Sequence, residues 1–221
     1  MSIYKKIPNW LTLINLLLGC VAIVYLFYDH VTIRAIAQGG YEEGGYFDGR
    51  AVSLAFRYGQ MHIAALIVLF AVFFDFLDGF AARLFDATSE MGKQLDSLAD
   101  LVTFGVAPGL MLYYLTATAF FGTSIAMEIG IWAFLPAFFY TLMAAWRLAR
   151  FNTATPKPYF EGLPAPAAAI AVAALPLIAF RQERWLAEAL QNPWVMYGII
   201  AGLGWLMQSR LPLLSLKLGP A

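Results

Sequence analysis

Charge is what this sequence has least of. Of its 221 residues only 13% are Asp, Glu, Lys or Arg, about half the share usual in a soluble domain. Its 14 basic and 14 acidic residues cancel, which removes the electrostatic case for a nucleic-acid partner. The one cysteine, Cys20, excludes an intrachain disulfide and leaves the redox compartment open. Set in an apolar run, Cys20 reads as a small buried residue. The two histidines, His30 and His62, stand in no motif, and no Ser-His-Asp arrangement is evident. Internal repeats and low-complexity tracts are lacking too, so residues 1–221 read as one domain.

What is present is apolar: 61% of the residues are hydrophobic and mean hydropathy is +0.69. Such a chain has too little polar surface to cover a water-soluble body, so it reads as an all-α integral membrane protein. A spanning helix needs about 20 predominantly apolar residues. Six stretches qualify: residues 10–28, 61–77 running on past Asp78, 98–119, 125–146, 166–180 and 193–207. The first follows Lys5 and Lys6 but is long for a signal core and lacks a small-residue cleavage site, so it reads as a retained span. Pro108, Pro136 and Pro176 fall inside predicted spans, where neighbouring helices have to satisfy the freed backbone. Trp10, Trp132, Trp185 and Trp194 sit at span ends as interfacial anchors. Residues 29–60 form the longest polar connection and carry no chemical motif. Residues 1–9 suit a short interfacial segment.

Six spans put both termini on one side. That side holds Lys5, Lys6, Arg83, Lys93, Arg147, Arg150, Lys157, Arg210 and Lys217, nine cations, against Arg34, Arg50, Arg57, Arg181 and Arg184, five, on the other. The bias places both termini in the cytoplasm.

The chemistry lies in Phe74-Asp-Phe-Leu-Asp-Gly-Phe-Ala-Ala-Arg83 and Gly92-Lys-Gln-Leu-Asp-Ser-Leu-Ala-Asp100. Asp75 and Asp78, three apart, share a helix face, and Ala82 continues it. Gly92, Asp96 and Asp100 repeat at four-residue spacing on the next helix. An antiparallel pair of these helices aims four carboxylates into one space, and Gly79, Ala82 and Gly92 let backbones approach each other or a ligand. Four converging anions repel unless protonated or neutralised, and hard oxygen ligands suit Mg²⁺ or Mn²⁺. With two ions, such a cluster clamps a diphosphate for in-line displacement, and Arg83 is placed to contact a phosphate. Solvated helix-end charges and a cation pathway are the readings that spacing alone leaves open.

Asp75-x-x-Asp78-Gly79-x-x-Ala82-Arg83, eight residues, then Gly92-x-x-x-Asp96-x-x-x-Asp100 resembles the CDP-alcohol phosphotransferase signature at all eight fixed positions, spread over 26 residues. The resemblance implies that family's six-helix membrane fold and displacement of CMP from a CDP-linked lipid by an alcohol. It implies Asp75, Asp78 and Asp96 as metal ligands, with Asp100 as both ligand and general base. It further implies Gly79, Arg83 and Ser89 as contacts to the CDP group. Pro8-Asn9-Trp-Leu-Thr12 is similar to the nucleotide-facing start of the first helix, with Asn9 and Thr12 as hydrogen-bonding residues or as an ordinary helix cap. A homodimer is expected on the same ground.

Two further stretches bear on the alcohol. Ser97-Leu-Ala-Asp100-Leu-Val-Thr-Phe-Gly-Val-Ala-Pro108 resembles the bacterial and archaeal serine-transferring branch, with Leu101 where the phosphatidylglycerophosphate branch typically places Lys. Arg147-Leu-Ala-Arg150-Phe-Asn152 and Gly162-Leu-Pro-Ala-Pro166 resemble the same branch. Arg147 and Arg150, three apart, suit the carboxylate of serine, with Asn152 adding a neutral hydrogen bond. Membrane anchoring and a phosphorylated alcohol remain alternatives for the arginine pair. The implied reactants are CDP-diacylglycerol and L-serine, at the cytoplasmic face of a bacterial or archaeal inner membrane.

Overall fold

A computed structural model describes residues 7–27, 61–85, 89–121, 131–153, 160–180, 189–209 and 212–213. The expected interfacial segment before residue 7, the 29–60 connection, Trp185, Arg181, Arg184, the Pro-rich residues 155–159 and the tail after 213 lie outside these. The described residues are almost wholly helical: α1 (Ile7–Phe27), α2 (Met61–Leu84), α3 (Glu90–Asp100), a π-helical turn (Leu101–Val106), α4 (Ala107–Phe121), α5 (Phe138–Thr153), α6 (Ala165–Phe180) and α7 (Pro193–Gln208).

Among the described residues four helical stretches are long and apolar enough to cross a bilayer: Ile7–Phe27, Met61–Leu84, Glu90–Phe120 and Ile131–Thr153. The other two expected spans, 166–180 and 193–207, are the apolar helices α6 and α7, each within one residue of the expected limits. Two points differ from expectation. The third helix begins at Glu90, in polar sequence, because Ser89 caps it by accepting a hydrogen bond from the Gly92 N–H at 3.0 Å. Within the fourth expected span, residues 131–137 form two 3₁₀ turns, and Pro136 lies in the second of them, ahead of α5 rather than inside it.

The surface is turned inside out relative to a soluble protein. Trp10, Phe70, Phe73, Phe76, Phe80, Trp146, Trp194 and Trp205 are exposed, as lipid-facing side chains are at no hydrophobic cost. Trp10, Trp132 and Trp194 stand out as anchors should. Cys20 corrects the reading above: it is exposed. The inward face of α1 is Pro8, Thr12, Asn15, Gly19 and Ala22, and Cys20 falls off that stripe. Between helices the contacts are small or closely fitted. α1 packs most extensively on α2, whose Ala64, Ala65, Val68 and Ala71 are fully buried. α6 covers α2, while α7 covers α5 and α4.

The π turn lies at the middle, touching α1, α4, α5 and α6. It follows from the residues around it. Pro108 withholds the N–H that α-helical register would return to the Phe104 carbonyl, and the buried Tyr140 hydroxyl donates to that carbonyl instead, at 2.9 Å. Thr141 Oγ1 donates to the next carbonyl, Gly105, at 3.0 Å. At the far end of the chain, Gly162 adopts φ +72°, and a Cβ there would stand 2.7 Å from the carbonyls of Met207 and Ser209. The Leu163 N–H donates to Leu206 at 3.0 Å, and Phe160 and Glu161 pair antiparallel with Leu213 and Pro212. The Gly-Leu-Pro-Ala-Pro motif thus closes the α5–α6 connection onto the end of α7.

Tyr140→Phe should leave the Phe104 carbonyl without its donor, at about 1 kcal/mol, the scale of interhelical hydrogen bonds in membranes. The thermal unfolding midpoint in detergent should fall by about 2–4 °C, and an unchanged midpoint would show that the π turn holds without this bond.

Candidate active site

α2 ends on Phe76-Leu-Asp-Gly-Phe-Ala-Ala-Arg83-Leu84, and α3 opens on Glu90-Met-Gly-Lys. Both helices therefore carry their acids where the apolar span meets polar sequence. Asp75 and Asp78 come from α2 and Asp96 from α3, and one carboxylate oxygen of each lies within 4.8 Å of the other two. Asp100, buried, is within hydrogen-bonding reach of Asp75. All four aspartates therefore meet, as their spacing predicts.

The way they meet differs from an antiparallel pair packed face to face. α2 and α3 make few direct approaches, and α1 packs against both and against the π turn. The physical reason is charge. Two helices each bearing a pair of carboxylates cannot close on one another without desolvating like charges, so a third, neutral helix holds them at a set separation. Its inward stripe supplies the polar contacts. Thr12 lies near Asp78, and its hydroxyl donates to the Pro8 carbonyl at 3.0 Å. Asn15 Nδ2 donates to Asp100 Oδ1 at 3.5 Å, a long bond. Thr103 Oγ1, in the π turn, donates to the Asn15 carbonyl at 3.1 Å. Gly19, one turn further along α1, makes this possible: a Cβ there would come within 2.9 Å of the Thr103 Cα.

The two glycines of the motif play different parts. A Cβ on Gly92 would meet Asn9 Oδ1 at 3.1 Å, so Gly92 admits the start of α1 against the first turn of α3. A Cβ on Gly79 would meet nothing within 4 Å among the described residues, so Gly79, exposed next to Asp78, leaves the end of α2 open there. Arg83 is exposed in the last turn of α2, and Ser89 is exposed at the α3 cap.

Across the site stands α5. Arg147 is buried and lies within electrostatic range of both Asp100 and Arg150. Its Nε has no hydrogen-bond partner among the described residues. Arg150 is half-buried. Asn152 is tied to α3: its Nδ2 donates to Ser97 Oγ at 2.7 Å, and Lys93 Nζ donates to its carbonyl at 3.1 Å. Asn15, missed in the motif reading, is fully buried. The signal was there in the amide standing three residues after Thr12 and six after Asn9, a polar line along an otherwise apolar helix.

The donor set fits a divalent cation. The oxygens are hard, and opposite ligands around Mg²⁺ stand about 4 Å apart, close to the spread seen among the three aspartates. One oxygen of Asp78 is buried without a partner among the described residues, an arrangement costly for a carboxylate unless a cation meets it.

A helical membrane body with four converging acids and a buried arginine across from them is compatible with a divalent-cation site. The family follows from comparison. Residues 5–205 match the CDP-alcohol phosphatidyltransferase family, and the chain belongs to it, a family of divalent-metal-dependent transferases. A CDP-diacylglycerol--serine O-phosphatidyltransferase of Bacillus subtilis is 34% identical over 173 residues, covering 76% of this chain and 84% of the relative. The same-named protein of Mycobacterium leprae is 33% identical over 162 residues, 70% of this chain and 50% of the relative. An archaetidylserine synthase of Methanothermobacter thermautotrophicus is 34% identical over 128 residues, 57% of this chain and 51% of the relative. The chain thus spans most of the Bacillus relative and about half of the other two.

Asp78→Asn and Asp96→Asn should each weaken Mn²⁺ binding by more than about tenfold, the lower end of what even outer-shell changes cost. Titration of the detergent-solubilised protein by electron paramagnetic resonance reads this directly, and wild-type affinity in either variant would remove that residue from the ligand set.

Proposed function

We propose that the protein transfers the phosphatidyl group of CDP-diacylglycerol to L-serine, giving phosphatidylserine and CMP. The observation that carries the reading is the joining of Asp75, Asp78 and Asp96 to Asp100 and the buried Arg147 in one site. Family membership supplies the CDP-linked donor, and the relatives' names supply serine and diacylglycerol.

Asp75, Asp78, Asp96 and Asp100 would hold two Mg²⁺ or Mn²⁺ ions, which would supply charge neutralisation for the diphosphate and for the leaving CMP. Asn9, Thr12, Gly79, Arg83 and Ser89 form the CDP side. Gly79 gives the diphosphate close access to the end of α2, and Arg83 gives it a cation. Arg147 and Arg150 take the serine carboxylate, with Asn152 fixing the end of α5 to α3. The serine hydroxyl oxygen attacks the phosphorus attached to the diacylglycerol. That P–O bond forms as the anhydride P–O bond to CMP breaks, and Asp100 accepts the hydroxyl proton. With no Ser-His-Asp arrangement evident in the sequence, a single direct displacement is preferred over a covalent enzyme intermediate.

The lipid tails stay in the bilayer and the diphosphate meets the acids near the cytoplasmic face of a bacterial or archaeal inner membrane. Residues 1–221 act as one domain with six membrane-crossing helices, and two copies form a homodimer.

Purified protein supplied with CDP-diacylglycerol, Mn²⁺ and single alcohols should release CMP with L-serine. Release with glycerol 3-phosphate but not serine would sink the choice of acceptor, and no release with any alcohol would sink the transferase. Asp100→Asn should lower kcat by about 10²–10⁴-fold while CDP-diacylglycerol binding stays measurable; near-normal turnover would remove Asp100 as base. Arg147→Ala should raise the serine KM by about tenfold or more with little change in that for CDP-diacylglycerol. Equal shifts in both would leave Arg147 a structural cation.

A further inference from the structure

Asn15 is fully buried on a helix that is otherwise almost wholly apolar. A primary amide in such a place is costly unless both of its ends are satisfied. Only one is. Nδ2 donates to Asp100, while Oδ1 has no partner among the described residues. Turning the amide over would not help, because it would press Oδ1 against a carboxylate; the acid cluster therefore dictates that the acceptor end is the one left over. With cations bound the nearby acids are ionised, and carboxylates then accept and do not donate. The Thr103 hydroxyl is already committed to the Asn15 carbonyl, and that bond with the close Gly19–Thr103 approach keeps Asn15 level with Asp100. What suits the amide oxygen is an incoming donor.

The opposite defect stands on α5. Arg147, also buried, has a donor, Nε, without a partner among the described residues, and Asp100 lies within its electrostatic range. The proton acceptor of the reaction is therefore flanked by one unmatched acceptor and one unmatched donor. An amino acid whose hydroxyl reaches Asp100 carries the complementary pair, an ammonium and a carboxylate.

We propose that Asn15 is a specificity-determining residue whose Oδ1 accepts a hydrogen bond from the serine ammonium while Arg147 binds the carboxylate. The site then reads the amino-acid zwitterion from both sides of the base. This rests on serine as acceptor and adds the residue that distinguishes an α-amino acid from a plain hydroxy acid. Hydrogen bonds to charged groups carry roughly ten- to a hundredfold in affinity.

The test uses two fragments of serine. 3-Hydroxypropionate lacks the ammonium, and ethanolamine lacks the carboxylate. With the full chain, CDP-diacylglycerol and Mn²⁺, the wild type should favour serine over each by about tenfold or more in kcat/KM. Asn15→Leu, similar in volume, should collapse the preference over 3-hydroxypropionate toward unity and keep the preference over ethanolamine. Arg147→Ala should do the reverse. If Asn15→Leu is poorly folded, as judged by lost CDP-diacylglycerol binding, Asn15→Ser carries the same expectation. The wild-type comparison of serine with 3-hydroxypropionate stands without any variant.

Equal use of those two acceptors by the wild type would overturn the proposal. So would an Asn15 variant that slows all acceptors by one factor, the mark of a residue that only steadies Asp100. Loss of Mn²⁺ affinity in Asn15→Leu as large as in Asp78→Asn would overturn it too, by making Oδ1 a metal ligand. A wild type that uses glycerol 3-phosphate but none of the three would overturn the serine reading along with it.

Discussion

Four carboxylates gathered inside an apolar body repel one another, and much of the structure answers that repulsion. α2 and α3 carry the acids yet do not close on each other. α1 keeps them apart and together at once, offering Thr12 and Asn15 to the acids and Gly19 to the π turn. Polar contacts of this kind are expensive to bury, so they appear where the acids need them: of α1's polar residues, Thr12 and Asn15 lie on the buried stripe. A bound cation would remove most of the remaining repulsion, which is the physical sense in which the fold and its cofactor belong together.

The π turn directly after Asp100 is the second consequence. Such turns alter the facing of the residues that follow. Here the turn presents three consecutive residues to two different neighbours: Thr103 to α1, and the carbonyls of Phe104 and Gly105 to α5. The helix that carries Asp100 is thereby fixed to α1, which contacts the acids, and to α5, which carries Arg147. Lys93 and Ser97 add a second tie between α3 and the end of α5. The distance between acid cluster and arginine is thus held from both ends of α3.

Unmatched polar atoms concentrate in this same volume. Asp78 Oδ2, Asn15 Oδ1 and Arg147 Nε are buried without partners among the described residues, whereas Thr116 and Tyr140, buried elsewhere, both donate to backbone carbonyls. Buried polar groups left unsatisfied are rare in native proteins because each is costly. Two acceptors and one donor are the groups that a metal ion and an amino acid would pair with.

Composition and spacing by themselves determined the membrane setting, the helical class and the convergence of Asp75, Asp78, Asp96 and Asp100, because hydrophobic length and helical periodicity are local properties of the chain. The family signature likewise stands in the residues alone. Tertiary structure decided the rest. It put Pro136 in a 3₁₀ turn ahead of α5 and turned Cys20 outward, since helix ends and facing depend on caps and neighbours. It showed that Gly79 is open where Gly92 admits α1, a distinction invisible when both are simply small residues at fixed intervals. Above all it brought Asn15 to Asp100 across 85 positions of sequence. No local pattern encodes that approach, which depends on how a third helix settles between two that repel.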